Sequence, residues 1–321
     1  MARMTTPINP PPVPLPAKLV IGSRGSPLAL AQAEEVRDRL IAAYPPLGEP
    51  GRVTIETIKT TGDRITDRPL AELGGKELFT KEIEDALLEG RIDIAQHCLK
   101  DLPTEQPPGL TVATMLPRED PRDAFICPSA DGIDDLPAGA RLGTSSLRRA
   151  AFLKAHRPDL KLVDLRGNVG TRLAKIERGE ADATILAVAG LNRLGQADRA
   201  RNPIPMEIML PSPGQGTIAL ETRSGDEVTA ALLAPLACAA TTAASDAERA
   251  LLAALDGSCR TPIAALAEVK TDQVVLRAAI ARPDGSKILA DQASGSPSEA
   301  AEMGRDVGER LRGRAGPGFF G

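Results

Sequence analysis

Arginines recur along one stretch of the sequence, at the places where strands are expected to end. Residues 143–172 read GTSSLRRAAFLKAHRPDLKLVDLRGNVGTR, a pattern that predicts a strand end, a hydroxyl-rich turn, a basic helix, a strand and a second turn into another basic helix. The arginines at or just after these turns are Arg148, Arg149, Arg166 and Arg172. A guanidinium group binds two carboxylate or phosphate oxygens at once. The set predicts a pocket for a small polyanionic ligand, although any single arginine could instead belong to a solvated helix face.

Hydroxyl side chains accompany these arginines at the same turns. Thr144, Ser145 and Ser146 precede the first basic helix and can cap it, and the free N–H groups of a helix N-terminus favour an anion. An earlier strand, 17–23, leads into a similar turn that carries Arg24, with Ser26 as the predicted N-cap of the next helix. In an open α/β sheet such turns border the ligand crevice.

Elements that could position these turns fall into three units. The segments 116–125, LPREDPRDAF, and 210–223, with PGQG, are predicted to carry the chain out of a first α/β unit and back again. After a disordered proline-rich tail at 1–17, the three units expected are a first lobe at 18–116 and 217–236, a second lobe at 117–216 and an α+β domain at 237–321. Such a double crossover would make the arginine turns face the Lys100–Asp101 turn across a cleft between lobes, a favoured place for ligands.

The third unit carries two local signals. SDAERALLAALDG predicts an amphipathic helix that Ser245 caps, with Glu248 at the capping-box position. PDGSK between two alternating apolar runs, at 283–287, predicts an antiparallel hairpin.

Composition excludes several functional classes. The net charge is -4 and only 2% of residues are aromatic, which argues against nucleic-acid binding. The four cysteines form no CxxC pair and have no histidine at ligand spacing, so we expect no metal site and a reducing compartment. No apolar run reaches the roughly 20 residues of a membrane span, and the N-terminus lacks a signal-peptide core. We therefore expect a cytoplasmic protein, and a monomer because no coiled-coil pattern is present.

A set of longer motifs occurs in order along most of the chain. They are GSRGSPLALAQ, GGKELFTKEIEDALLEGRIDIAQHCLKDLP, REDPRDAF, GTSSLRRAAFLKAHRPDL, LRGNVGTRL, ILAVAGLNRLG, LPSPGQG and DGSCRTPIAA. Together they resemble the porphobilinogen deaminase (hydroxymethylbilane synthase) family of tetrapyrrole biosynthesis. The likeness runs from about Lys18 into the C-terminal region and weakens after about Val269.

The resemblance implies a fold, a reaction and a cofactor. The fold would be two lobes like those of periplasmic binding proteins, joined by a double crossover, plus a small α+β domain that carries a cysteine. The reaction would be head-to-tail condensation of four porphobilinogen molecules into hydroxymethylbilane with release of ammonia. The family begins this reaction on a dipyrromethane cofactor, which a cysteine holds through a thioether.

Family positions also assign roles to individual residues. Cys259 in DGSCRTP matches the cofactor cysteine and Asp101 the catalytic carboxylate, with Arg24 and Arg172 assisting ammonia loss. The remaining cofactor contacts implied are Lys100, Ser146, Arg148, Arg149 and Gln215. The substrate acetate and propionate groups would be bound by Arg24, Ser26, Thr144, Ser145, Arg166, Arg172 and Arg193. Lys76 and Phe79 border the predicted lid, 60–76.

Simpler interpretations exist for these residues one by one. Cys259 could be a small buried apolar side chain, Asp101 a helix cap and Gln215 part of a plain turn. Ser258 and Arg260 stand where the family more often has glycine and glutamine, which puts the local cofactor contacts in question, and Cys98 stands where a serine is expected. A rival function is a non-catalytic anion-binding protein of the same two-lobed shape. That rival explains the arginine turns but not the Cys259 loop.

Overall fold

The computed structural model describes residues 13–64, 78–257 and 261–320. Lys76 of the predicted lid and Cys259 lie outside the described residues, as does most of the proline-rich tail. Within the described ranges no single helix is long and apolar enough to cross a membrane, although the bent pair Glu227–Leu236 and Ala239–Ala254 meets that test by length and composition.

A five-stranded sheet forms the first lobe, in the order β2-β1-β3-β9-β4. Its strands, numbered in chain order, are β1 (Leu19–Arg24), β2 (Val53–Ile58), β3 (Ile94–Cys98), β4 (Leu110–Met115) and β9 (Ile218–Arg223). Its helices are α1 (Pro27–Ala43), α2 (Thr61–Arg64), α3 (Lys81–Leu88) and α7 (Glu227–Leu233). β1 pairs in parallel with β2 and β3, whereas β9 runs antiparallel to both β3 and β4. The first lobe is therefore completed by a strand that comes late in the sequence.

The second lobe is a four-stranded sheet in the order β5-β8-β6-β7. Its strands are β5 (Asp123–Ile126), β6 (Arg141–Gly143), β7 (Lys161–Val163) and β8 (Ala183–Ala187). Its helices are α4 (Leu147–His156), α5 (Val169–Glu177) and α6 (Val188–Arg193). The chain leaves the first sheet after β4, builds the second and returns at β9, which confirms two α/β lobes with a double crossover. The exact domain boundaries stay a prediction.

A three-stranded antiparallel sheet and two helices form the third domain. Its elements are β10 (Ile263–Lys270), β11 (Gln273–Ala281), β12 (Ile288–Gly295), α8 (Ala239–Ala254) and α9 (Ala300–Ala315). β11 and β12 are joined by the PDGSK turn, where Gly285 has φ +76°. A positive φ is cheap only for glycine, so this residue permits the predicted hairpin, which is confirmed.

The predicted capping box at Ser245 is wrong. Helix α8 begins six residues earlier, at Ala239, and its N-cap position is Cys238, with no side-chain cap. The intervening residues are alanine and threonine, and alanine is the strongest helix former, so the helix extends backwards past Ser245. Glu248 is fully buried and bonds to groups outside its own helix.

The third domain shares an apolar core with the second lobe. Leu266 and Ala281 of its sheet belong to the same buried cluster as Phe152 and Ile185 of the second lobe. The hairpin turn also rests on α4, where Lys154 Nζ donates to Pro283 O at 3.3 Å. Burial of this joint core favours the two units staying together as one body.

Close packing of α8 against α9 depends on Gly304. A Cβ at this position would collide with the Ala247 backbone carbonyl, a group that cannot move without disturbing α8. We expect Gly304→Ala to lower the free energy of unfolding by about 1–3 kcal/mol. Gly313→Ala in the same helix is the matched control, because a Cβ there meets nothing within 4 Å and alanine should stabilise the helix by about 0.5–1 kcal/mol. Urea unfolding compares the two, and equal effects would contradict the packing argument.

Candidate functional site

The Lys100–Asp101 turn follows directly from the end of β3. One turn of 3-10 helix, Leu99–Asp101, is held from below by burial of Leu99 and Leu102 and by a hydrogen bond from Leu99 N to Thr217 O at 3.0 Å. The Lys100 and Asp101 side chains are half-buried on its outer side. Among the described residues, Asp101 makes no side-chain hydrogen bond or ion pair. Its carboxylate is therefore open to a ligand.

A buried carboxylate, Asp123, links this turn to the arginines of α4. Lys100 Nζ donates to Gln215 Oε1 at 3.1 Å, and Gln215 Nε2 donates to Asp123 Oδ1 at 2.9 Å. Asp123 lies between Arg148 Nη2 at 2.6 Å and Arg149 Nη2 at 2.7 Å. Burial alone would raise the pKa of the Asp123 carboxyl, but the two guanidinium groups outweigh it and hold that pKa well below its usual range. Sequence reasoning assigned Asp123 no role.

Arg148 and Arg149 point inward from α4 rather than into solvent. Besides Asp123, Arg148 Nη1 donates to Leu210 O at 2.7 Å and Arg149 Nη1 to Ile185 O at 2.8 Å. Both side chains are buried, and the Nε atom of each has no hydrogen-bond partner in the described part of the chain. The Nε–H groups and the second hydrogen of each Nη atom remain as donors. Cofactor binding by both arginines stays a prediction.

Arg172 lies in the first turn of α5 and is short of counter-charge. Burial, together with the positive charges of Arg149 and Arg166, lowers the pKa of Arg172 to about 10, while Asp164 and Asp101 oppose the shift. Its Nε is buried with no partner among the described groups. At neutral pH the side chain remains charged, so a bound carboxylate would supply the missing negative charge.

Arg24 ends β1 and is already held by a carboxylate. Its Nη2 lies 2.5 Å from Asp63 Oδ1, and its guanidinium carbon lies 4.2 Å from the centre of the Phe79 ring. Burial lowers the pKa of Arg24, but the hydrogen bonds that Arg24 donates to Asp63 and the charges of Asp101 and Asp63 together raise it above its ordinary value. Phe79, predicted beside the lid, therefore packs on a predicted catalytic arginine.

The predicted hydroxyl groups lie at two helix N-termini. Ser26 Oγ accepts from Ala29 N at 3.3 Å, and Ser146 Oγ accepts from Arg149 N at 3.4 Å, which confirms Ser26 as an N-cap. Each capping hydroxyl keeps its own proton to donate. Thr144 Oγ1 accepts from Ser146 N at 3.2 Å, and Ser145 Oγ is buried without a partner among the described residues.

Arg193 and Cys98 lie at the edge of the site. Arg193 Nε donates to Glu35 Oε2 at 3.1 Å and its Nη2 to Gly216 O at 3.0 Å, so it ties α6 to α1 and to the returning crossover. The Cys98 thiol donates to Gln32 Oε1 at 3.1 Å. Burial and the charge of Asp101 raise the pKa of this thiol, which keeps it protonated and unreactive.

A chain of contacts from Lys100 through Gln215 and Asp123 to Arg148 and Arg149 connects the two sets of turns. The charge of Asp101, in the first lobe, acts on Arg172 in the second, and the charge of Arg149 acts on Lys100. The structure therefore brings together Arg24, Lys100, Asp101, Arg148, Arg149, Arg166, Arg172 and Gln215. This arrangement can bind carboxylates on its cationic side and stabilise a developing cation at Asp101.

Solved structures of binding proteins align with part of this chain. A putative methionine-binding lipoprotein from Bacillus subtilis covers 68% of this chain and 90% of its own, with a TM-score of 0.41 and 14% identity. The methionine-binding protein MetQ covers 68% and 89%, with a TM-score of 0.41 and 13% identity. These scores are low, and the fold assignment rests on the sheets described above.

Sequence comparisons are far more specific. Residues 19–231 match the family model for the porphobilinogen deaminase dipyrromethane cofactor binding domain, and residues 242–313 match the porphobilinogen deaminase C-terminal domain. The porphobilinogen deaminase of Paracoccus denitrificans (strain Pd 1222) is 53% identical over 100% of this chain and 99% of its own length. The chloroplastic porphobilinogen deaminase of Oryza sativa subsp. japonica is 50% identical, covering 94% and 85%. The chain belongs to the porphobilinogen deaminase family.

Proposed function

We propose that Asp101 is the catalytic carboxylate of this enzyme and that Arg24 and Arg172 act with it. The enzyme is a transferase of tetrapyrrole biosynthesis, which condenses four porphobilinogen molecules head to tail into hydroxymethylbilane and releases ammonia. The observation that carries the proposal is the open carboxylate of Asp101. Its charge acts on Arg24 in the first lobe and on Arg172 in the second.

Asp101 supplies what the difficult step needs. Loss of ammonia from porphobilinogen leaves a cation that is delocalised over the pyrrole ring. A fixed carboxylate stabilises that charge as it develops, and its free oxygens can accept the pyrrole N–H. The same group can guide the proton to the leaving amine or from the attacked ring. Because the turn beneath it is buried, Asp101 is held in place before the substrate binds.

Cationic side chains orient the substrate. Each porphobilinogen carries an acetate and a propionate, and a guanidinium group binds a carboxylate with two hydrogen bonds. We assign these groups to Arg166 and Arg172 in the second lobe and to Arg24 in the first. The support is that the charge of Asp101 acts on both Arg24 and Arg172. Ser26, Thr144 and Ser145 add hydroxyl groups at the helix N-termini, and Arg193 lies at the periphery.

The residues around Lys100 fit a dipyrromethane cofactor. The Nε atoms of Arg148 and Arg149 are buried donors without partners among the described groups. Burial and the charge of Arg149 lower the pKa of the neighbouring Lys100, while the charge of Asp101 opposes this shift. Such a cluster suits a ligand with several carboxylates. When bound, dipyrromethane supplies the pyrrole on which the product grows. The residues proposed to hold it are Lys100, Ser146, Arg148, Arg149, Gln215 and Cys259.

We further propose that a thioether to Cys259 holds the cofactor. The support is the family motif DGSCRTP and the position of the cysteine just after α8 and its Leu255–Gly257 exit. Covalent attachment keeps a growing chain bound and in register through successive additions.

Intact mass spectrometry tests this attachment. We expect the purified protein to carry the added mass of two linked pyrrole units, Cys259→Ser to lack it, and Cys127→Ser to keep it as the matched control. Incubation with porphobilinogen should restore the adduct to any unmodified wild-type protein. Wild-type protein that gains no adduct, or a Cys259→Ser protein that does, would contradict the proposal. Coloured porphyrin formed from porphobilinogen after acid oxidation distinguishes the enzyme from an anion-binding protein.

We also propose that the protein works as a cytoplasmic monomer without nucleic-acid or membrane partners. A net charge of -4 and the free thiols of Cys98, Cys127 and Cys238 support this. Sedimentation equilibrium should give the monomer mass of 33.6 kDa, and a larger stable species would overturn the monomer.

A further inference from the structure

We propose that Arg249 is a positioning residue that holds the Asp101 turn in place against α8 of the third domain. The inference rests on the catalytic role of Asp101 and on cofactor attachment at Cys259, as proposed above. It adds a residue of α8, in the third domain, that touches neither the substrate nor the predicted cofactor contacts.

Arg249 reaches from α8 to the backbone immediately after Asp101. Its Nη2 donates to Pro103 O at 2.8 Å and to Thr104 O at 3.0 Å, and its Nη1 donates to Leu102 O at 3.4 Å. One guanidinium group thus donates hydrogen bonds to three consecutive backbone carbonyls. The segment that leaves the catalytic turn is thereby fixed to the third domain.

The preceding residue of the same helix holds the other side of the turn. Glu248 Oε2 accepts from Gly214 N at 2.6 Å. A Cβ on Gly214 would lie 3.0 Å from Leu99 Cγ and 3.1 Å from Lys100 N, so this glycine lies tightly against the start of the turn. Adjacent residues of α8 therefore hold the Asp101 turn from both ends, one directly and one through Gly214.

Helix α8 connects the two anchors, Glu248 and Arg249, to the segment that leads to Cys259. It ends at Ala254, a few residues before Cys259, so the two anchors and the cysteine loop belong to one continuous segment. The third domain shares its apolar core with the second lobe, whereas the Arg249 contacts to Leu102–Thr104 in the first lobe are polar. Hydrogen bonds are directional, so these contacts set the orientation of the segment 102–104 relative to α8.

The chemistry of the contact requires an arginine. Arg249 forms no ion pair within the described ranges of the chain; its acceptors are neutral carbonyl and amide oxygens. Burial lowers the pKa of its guanidinium group, with the charges of Asp246 and Glu221 opposing. A lysine keeps the charge but offers a point donor, and it cannot span three carbonyls in one plane.

The test compares Arg249→Lys with Arg312→Lys. Arg312 is an exposed arginine of α9, paired at 3.3 Å with the exposed Asp256, and serves as the matched control. We expect Arg249→Lys to lower kcat by about 10- to 100-fold, since small misplacements of reacting groups cost this much, with KM for porphobilinogen within about twofold. Hydrogen exchange of the peptide covering 99–106 should accelerate, and Arg312→Lys should change neither quantity.

A double-mutant cycle shows whether Arg249 acts through Asp101. In an Asp101→Glu background, Arg249→Lys should lower kcat by less than about twofold, because the carboxylate is already misplaced. An undiminished loss in that background, or unchanged exchange at 99–106, would overturn the positioning role. The adduct mass on Cys259 should be the same in Arg249→Lys as in wild type. Its absence from both proteins would refute cofactor attachment, while the exchange result would still test the Arg249 contact.

Discussion

Asp101→Ala should lower kcat for hydroxymethylbilane formation by about 10³-fold, which combines the usual losses of an electrostatic stabiliser and of a proton-transfer group. The fold should survive, because Asp101 is half-buried and makes no side-chain bond among the described residues. Steady-state kinetics with porphobilinogen measure the loss, and thermal unfolding checks the fold.

Two further variants make the Asp101 result interpretable. Asp101→Asn keeps the shape and removes the charge, so a similar loss would assign the effect to the carboxylate itself. Asp134→Ala removes an exposed aspartate that bonds to His156 Nε2 at 2.7 Å, and should leave kcat within about twofold. Near-normal turnover by Asp101→Ala would refute the proposed mechanism.

Asp123→Ala should be the most destabilising single substitution considered, at about 3–5 kcal/mol. It would leave the Arg148 and Arg149 guanidinium groups buried side by side without their shared carboxylate. Asp120→Ala is the matched control: the half-buried Asp120 pairs with the exposed Arg122 at 2.6 Å, and a pair in contact with solvent contributes about 0–1 kcal/mol. Urea unfolding at neutral pH measures both, and similar effects would contradict the burial argument.

The same carboxylate predicts a pH dependence of stability. The folded-state pKa of Asp123 is depressed below its ordinary value of 3.8. Its contribution is therefore present above that value and is lost as the pH falls below about 4 towards the folded pKa. Asp123→Asn, which cannot titrate, should show a shallower loss of unfolding free energy over this range. Parallel curves for wild type and Asp123→Asn would show that another group is responsible.

Periodicity and turn signals were sufficient to predict the architecture. Strand 17–23, the Ser26 cap, the crossover at 116–125 and the PDGSK hairpin each have a local cause in the sequence, and each is observed. The start of α8 was mispredicted because Ser245 carries a capping signature inside an alanine-rich run that simply continues the helix. Two local signals compete there, and the high helix propensity of the alanines outweighs the capping preference of Ser245.

The site was predictable in its residue types but not in its internal connections. The arginine turns predicted a polyanion pocket, yet the inward direction of Arg148 and Arg149 depends on Asp123, from another strand. Nothing in REDPRDAF distinguishes the buried Asp123 from the half-buried Asp120, which pairs with Arg122, because burial is decided by the fold. Asp123 and Arg249 act through contacts distant in sequence, which periodicity does not encode.

The late strand β9 has a consequence for synthesis of the chain. It lies between β3 and β4, so β4 has no strand neighbour in the first sheet until residues 218–223 have left the ribosome. The second lobe, encoded entirely between these strands, can therefore assemble while the first sheet is still incomplete. At about 5–20 residues per second, the roughly one hundred residues between β4 and β9 delay completion of the Asp101 turn, which hydrogen-bonds to Thr217, by several seconds. The half of the site that we propose binds carboxylates is thus built before the half that carries the proposed catalytic carboxylate.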